Sequence, residues 1–353
     1  MFQTGLFERY NRYKCSNHFK KIRNKMLVDG ISAPPYKATL ELTMRCNLLC
    51  TMCFRHKKDG ELELPELKKV IDNLGNIKEI SLIGGEIFLR KDIYNILDYL
   101  KEKGLKVNLH TNGTLIDEAV AEKLERYDNF GRIGFSIDGL RELHNEIRGS
   151  NTAFDKTVNA IRLMSSRGVS INTVVNERNM GQLQRLFQLA KELGVEEYRI
   201  EPEMFSTSEE IESSKRMLRL NGTEVITLIR EGGNYAYPFK AFKKVKEDIK
   251  SESGRAGLRF NVAPKIADID DSEFYSGTVR EKRTLFCKHL LVPRIDPEGN
   301  LIHCHIIKKP FGSLLEKNLE ELWNNDEATD FRKKLLSNNL LPVCKRCCRL
   351  RSI

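Results

Sequence analysis

Between residues 38 and 202 the chain alternates two apolar rhythms. Short runs rich in β-branched and aromatic residues fall at 38–43, 79–83, 107–110, 133–137, 171–175 and 198–201, and read as strands. In segments between them the apolar residues recur at i, i+3, i+4 and i+7: Leu67, Val70, Ile71 and Leu74, then Ile93, Ile96, Leu97 and Leu100, then Leu183, Leu186, Phe187 and Ala190. That spacing puts one apolar stripe on a helix, to be buried against a sheet. Strand then helix, repeated six times, predicts βαβ units around a parallel sheet. In such folds the reacting groups gather in loops after the strands, where the sequence can vary without disturbing the sheet. Four of these loops carry chemistry-bearing residues: Cys46 after the first strand, Gly84-Gly85-Glu86 after the second, Thr111-Asn112-Gly113 after the third, and Ser136 to Gly139 at the fourth.

The rhythm weakens from 203 to 286. A helix is expected at 224–230, resuming at 239–249, with a short strand at 258–262; the segment reads as a connection that completes the barrel and shapes a substrate pocket. From 287 to 353 a separate small unit is expected, with a hairpin over 294–305 turning at Pro297-Glu298-Gly299-Asn300 and a helix near 319–336. The expected organisation is an N-terminal extension (1–37), an α/β core (38–202), a connection (203–286) and a small α+β C-terminal domain (287–353).

A chain of 353 residues can bury a large core without disulfides. Its nine cysteines are odd in number and fall in local groups with no signal peptide before them, which points to metal-bound thiolates in a reducing cytoplasm. No run approaches the roughly 20 apolar residues of a membrane span, so no membrane partner is expected. The formal net charge of +10 suits an anionic substrate. Its basic clusters, around residues 20–25, 243–250 and 345–351, lack aromatic interleaving and read as solvated faces; no nucleic-acid partner is expected.

Cys46, Cys50 and Cys53 are spaced C-x3-C-x2-C. A redox-inert structural site takes four protein ligands, whereas three thiolates leave one iron of a cluster open for chemistry. The spacing also admits zinc, with His56 as the fourth ligand. A second group, Cys287, Cys304, Cys344 and Cys347, offers four thiolates to an iron–sulfur cluster or to a zinc ribbon. Cys15 reads as an ordinary thiol, and Cys348 as a spare one, with a swapped ligand or a hydrogen-atom donor as alternatives. His303 and His305 alternate on the expected strand and so share a face.

With the triplet after the first strand, Gly84-Gly85-Glu86 after the second and this βα alternation, the chain resembles the radical S-adenosylmethionine (SAM) enzymes from about residue 38 onward. The resemblance implies a partial (β/α)6 TIM-like barrel in which Cys46, Cys50 and Cys53 hold a 4Fe-4S cluster. SAM chelates its open iron and is cleaved by one electron, from a flavodoxin- or ferredoxin-type donor, to a 5′-deoxyadenosyl radical. Met52 stands where an aromatic residue is commoner, and Ile87 where a proline usually follows. By the same resemblance Gly84, Gly85 and Glu86 bind the SAM amino group, and Ser136 and Arg148 its carboxylate. The pattern Ser136-Ile137-Asp138-Gly139, His144, Arg148-Gly149 is similar to that of the subgroup with a cluster-bearing C-terminal extension. Asp138 and His144 read as local hydrogen-bonding groups. The second cysteine group, with Gly299 placed as G-x4-C before Cys304, is similar to the twitch or SPASM extension and implies one fully ligated auxiliary 4Fe-4S cluster.

The expected activity is hydrogen abstraction from an unactivated C–H bond, leading to net two-electron oxidation of a small polyhydroxylated, amino-sugar-like or nucleotide-linked compound. Peptide modification, by epimerisation or crosslinking, is the alternative; residues 1–37 are short for the leader-recognition domain of many peptide-modifying members, which weighs against it. A non-catalytic zinc or iron–sulfur binding protein is the alternative of another class.

Overall fold

A computed structural model describes residues 16–54, 60–219, 224–231, 239–266 and 270–353. Strands β1 (Lys37–Glu41), β2 (Glu79–Ile83), β3 (Lys106–Thr111), β4 (Phe130–Ser136), β5 (Val169–Val175) and β6 (Glu197–Pro202) lie side by side in chain order, all parallel. Alternate residues explain why the sheet curls with helices outside. Leu40, Leu82, Leu109, Phe135 and Ile171 are buried in one core with Leu67, Val70, Ile96, Leu97, Leu186 and Phe187 of the intervening helices. The opposite parity faces the concave side and is polar, with Glu79, Asn108, Arg132, Asn172 and Arg199. The expected TIM-like partial barrel is formed.

The segment after β6 contributes β7 (Phe205–Ser206), β8 (Leu228–Ile229) and β9 (Arg259–Val262). β9 adds to β6 in parallel, and β7 pairs with β8. The helix expected at 224–230 is not formed. Val225, Ile226 and Thr227 are β-branched and stiff at χ1, and they run extended: Val225 bridges to Ile307, and Ile226 N donates to Ile306 O. The later helix runs over Phe239–Ala256.

The C-terminal segment supplies β10 (Leu285–Cys287), β11 (Arg294–Ile295), β12 (Asn300–Ile302), β13 (Pro310–Ser313) and β14 (Leu350–Ser352). The expected hairpin forms, its turn pinned by Asp296 Oδ1 accepting from Glu298 N and Asn300 N, at 3.0 and 2.8 Å. β11 pairs with β1 in parallel, so among the described residues one sheet runs β13-β12-β11-β1-β2-β3-β4-β5-β6-β9. The helix expected over 319–336 is two, Leu319–Trp323 and Asp326–Ser337. Asn318 and Asn325 each cap a new start, accepting from Glu321 N and Ala328 N. No described helix is long and apolar enough to cross a membrane.

The join between β1 and β11 carries a buried ion pair, Glu41 with Arg294, whose residues are 2% and 5% exposed. Truncating one member leaves the other charge without its counterpart inside the protein. Arg294→Ala is expected to lower stability by about 3 kcal/mol in urea titration, whereas a loss of less than a few tenths would show that the pair is solvated.

Candidate active site at the rim of the barrel

Beyond β1 the chain turns over the rim with Cys46, Cys50 and Cys53, and three neighbouring loops fix that turn. After β2, Gly85 N donates to Thr43 O and Glu86 N to Arg45 O, both at 2.8 Å. A Cβ on Gly84 would stand 2.6 Å from Thr43 O, and one on Gly85 2.1 Å from Arg45 O. Both glycines are therefore required by the close approach of the cysteine loop itself. After β3, Asn112 Nδ2 donates to Asn47 Oδ1, and Asn47 Nδ2 to Thr114 Oγ1, each at 2.9 Å. From the helix Arg141–Arg148, Ile147 O accepts from Thr51 N at 2.9 Å and Arg148 O from Leu49 N at 3.3 Å.

Charge follows the same contacts. Arg148 Nη1 lies 3.7 Å from Cys50 Sγ, and the guanidinium also pairs with Asp138. Burial pushes the Cys50 thiol up, Arg148 pulls it back, and Cys53, Asp138 and Cys46 push it up again. The three thiols are thus within electrostatic reach of one another, and bound iron would relieve their mutual repulsion. Asp138 is fully buried; its Oδ1 accepts from Val174 N at 2.8 Å, and its N–H donates to His144 Nδ1 at 3.1 Å. Burial, then Arg148, lowers His144 to about 3, so it is a neutral acceptor. Both residues hold the rim together. Glu86 is also fully buried, accepting from Thr111 Oγ1 and Asn112 N at 2.8 Å and from Phe88 N at 3.2 Å. Burial pushes its carboxyl up against those bonds. Its carboxylate joins the second and third loops, a role the sequence reading did not include.

Below the cysteine loop, Ser136 of β4 and Asn172 of β5 are register partners. Asn172 Nδ2 is buried with no hydrogen-bond partner among the described residues. Gly134 sits beside it: a Cβ there would stand 2.6 Å from Asn172 Nδ2 and 3.0 Å from His110 Cε1, so the glycine is what lets these two side chains lie against the strand. An unmet buried donor costs roughly 1–3 kcal/mol, and a carboxylate or hydroxyl of SAM would satisfy it. The residues present fit that ligand. Asn172 escaped the sequence reading; the available signal was an asparagine inside an apolar strand.

The second cysteine group lies in the C-terminal segment. Cys287 ends β10, opposite Leu350 of β14. Ile307 N donates to Cys304 Sγ at 3.2 Å and Arg349 N to Cys347 Sγ at 3.4 Å, bonds that favour thiolates. Burial, then Cys344 and Cys304, raises Cys287; burial, then Cys304, pushes Cys344 up to about 12. These thiols are therefore neighbours with unfavourable mutual charge, which a cluster would neutralise. Among the described residues no three Cys, His, Asp or Glu side chains converge as around a single metal ion. A four-iron cluster distributes its thiolates one to each iron and needs no such convergence.

Cys348 is buried; neighbouring Cys347, then burial and the Glu201 carboxylate, raise its thiol. His303 and His305 do not share a face, because β12 ends at Ile302 and the chain turns. The His303 ring packs 4.7 Å from Phe331, whereas His305 lies between Phe54 and His289, at 5.9 and 5.4 Å. Cys15 and His56 lie outside the described residues.

Comparison with known proteins agrees with this geometry. The family model of the radical SAM superfamily matches residues 40–190, and that of the SPASM iron–sulfur cluster-binding domain matches residues 292–348. The Fe-coproporphyrin III synthase of Methanosarcina barkeri is 34% identical over 196 residues, covering 53% of this chain and 49% of that protein. The antilisterial bacteriocin subtilosin biosynthesis protein AlbA of Bacillus subtilis is 33% identical over 172 residues, covering 46% of this chain and 38% of that protein. The matched region thus spans about half or less of these curated relatives. The crystal structure of Streptococcus suis SuiB bound to precursor peptide SuiA superposes with a TM-score of 0.65 at 17% identity, covering 93% of this chain and 74% of that one, which shows a shared fold. The chain belongs to the radical SAM superfamily and carries a SPASM iron–sulfur cluster-binding domain, with SAM and iron–sulfur clusters as its cofactors.

Proposed function

We propose that this protein is a radical SAM enzyme that modifies a peptide. The observation that carries the reading is the 33% identity, over 172 residues, with a relative named for bacteriocin biosynthesis. Neither curated relative described above is named for a polyhydroxylated or amino-sugar-like substrate, so the expected sugar-like oxidation gives way to its alternative. A second reading, action on a tetrapyrrole, rests on the 34% identity with the Fe-coproporphyrin III synthase.

In this reading Cys46, Cys50 and Cys53 hold the reactive cluster, and Ser136, Asn172 and Arg148 receive the SAM carboxylate, with Gly84, Gly85 and Glu86 setting the loop edge for its amino group. Cys287, Cys304, Cys344 and Cys347 hold the auxiliary cluster. When bound, SAM and the reactive cluster supply hydrogen-atom abstraction. Leu49, 71% exposed between Cys46 and Cys50, leaves this loop accessible to a flavodoxin- or ferredoxin-type donor.

The test is anaerobic reconstitution, with iron and sulfide counted and the deoxyadenosine formed from SAM measured. Mass spectrometry follows, on candidate peptides and on iron-coproporphyrin III. About eight irons per chain, deoxyadenosine and a peptide mass change are expected. Stoichiometric zinc without deoxyadenosine would end the reading, and turnover of the porphyrin alone would select the second one. A Cys304→Ser variant is expected to keep about four irons and SAM cleavage while losing product; unchanged product formation would remove the auxiliary cluster from the reaction.

A further inference from the structure

We infer that the concave face of the barrel, beside the second cysteine group, is a binding site for a substrate carboxylate, held by Lys288, Arg199 and Arg349. The inference rests on the substrate entering this barrel, as in the proposed function.

Register places Lys37 of β1, Arg132 of β4 and Arg199 of β6 on the concave parity. The C-terminal segment adds cations to the same space. Lys288 follows Cys287, its N–H donates to Arg349 O at 3.2 Å, and Lys37, Arg349, Arg351 and Arg199 all act on its ammonium electrostatically. The carboxylates here are Glu79, Glu197 and Glu201, and each is already engaged. Glu197 holds Arg132 and Arg199, both at 2.9 Å. Glu79 accepts from Asn108 at 2.9 Å and faces Lys37 at 3.8 Å. Glu201 faces Arg349 at 3.6 Å and Arg199 at 3.8 Å. Lys288 has no such partner: its ammonium makes no hydrogen bond or ion pair with a carboxylate among the described residues.

The cations here outnumber the carboxylates and oppose one another across the concave face. The strain shows at Lys37, where burial lowers the ammonium despite Glu79, and Arg199, Arg349 and Arg132 lower it further. The cations are also reachable, because the side chains of Arg132, Arg199 and Arg349 are 31%, 23% and 34% exposed. Arg349, whose carboxylate contact is Glu201 at 3.6 Å, and Arg199 Nη1, left over from the Nε and Nη2 bonds to Glu197, match a planar carboxylate beside the Lys288 side chain. Arg199, Asn172 and Ser136 are register partners across β6, β5 and β4, so a carboxylate held here would stand on the same wall as the residues proposed to receive SAM.

The test is calorimetric titration of the cluster-loaded enzyme without reductant, so that it does not depend on SAM cleavage. The probes are acetylated pentapeptides carrying a glutamate with an amidated C-terminus, a glutamine with a free C-terminus, or a glutamine with an amide, together with coproporphyrin III and its tetramethyl ester. At least one carboxylate probe is expected to bind about tenfold more tightly than its neutral counterpart, the gain from one charge-assisted hydrogen bond, and to weaken as salt rises. Which probe binds identifies the carboxylate as a side chain, a chain terminus or a propionate. Arg199→Gln and Arg349→Gln are each expected to weaken that probe about tenfold. Equal binding of neutral and anionic probes, salt-independent binding or no binding overturns the inference. Absence of deoxyadenosine in the separate cleavage assay counts against the proposed function alone.

Discussion

A Cys50→Ala variant is expected to lose SAM cleavage entirely while retaining about four of eight irons. Cys50 is the triad member whose sulfur the structure ties most directly to its surroundings, 3.7 Å from Arg148 Nη1 and in reach of Cys46 and Cys53. In the proposed function Cys50 is one of three cluster ligands, so its removal would leave an iron without its protein ligand and free Arg148 from one of its two contacts. Asp138 still holds the guanidinium, so the rim should keep its shape. The defect is therefore expected to be chemical, with folding intact by circular dichroism and the second cysteine group loaded. Deoxyadenosine formation at a rate near that of the parent protein would show that the cluster is held elsewhere.

Gly85→Ala is expected to produce nearly the same loss although it removes no ligand. The new methyl would stand 2.1 Å from Arg45 O and 2.7 Å from Arg45 C, and these are backbone atoms that no rotamer change can move aside. Either the second loop or the cysteine loop must retreat, breaking the 2.8 Å bond from Glu86 N to Arg45 O. The three sulfurs would then lose their common spacing. About four irons and little or no deoxyadenosine are the expected result, with Gly104→Ala, where nothing lies within 4 Å of the new carbon, as the control. Gly104 has φ of +66°, so the control carries backbone strain without a clash. Full cluster loading in Gly85→Ala would mean that the loops approach less closely than drawn.

Much of the fold was legible in the chain because it depends on local periodicity. The six strands β1 to β6 and the helices marked by Leu67, Ile93 and Leu183 appear where period-2 and period-3.6 patterns predict them. Where no strong apolar stripe guided the reading, it failed: Val225 and Ile226 became extended by pairing with Ile307 and Ile306, some eighty positions away, and Leu228 and Ile229 by pairing with Phe205 and Ser206. The cysteine groups were legible from spacing, and their family followed from the order of motifs on successive loops.

By itself, then, the sequence determined the βα alternation and the loop after the first strand on which Cys46, Cys50 and Cys53 sit, because each is a short-range pattern read within a few residues. Only the tertiary structure decided what the flanking residues do. It turned Gly84 and Gly85 into the seat of the cysteine loop and gave Glu86 to Thr111 and Asn112. It left Asn172 with an unmet donor and brought Lys288, Arg199 and Arg349, from three separate segments of the chain's second half, within electrostatic reach of one another. Those roles depend on strand register and on which parity faces inward, and both are set by contacts between residues far apart in sequence.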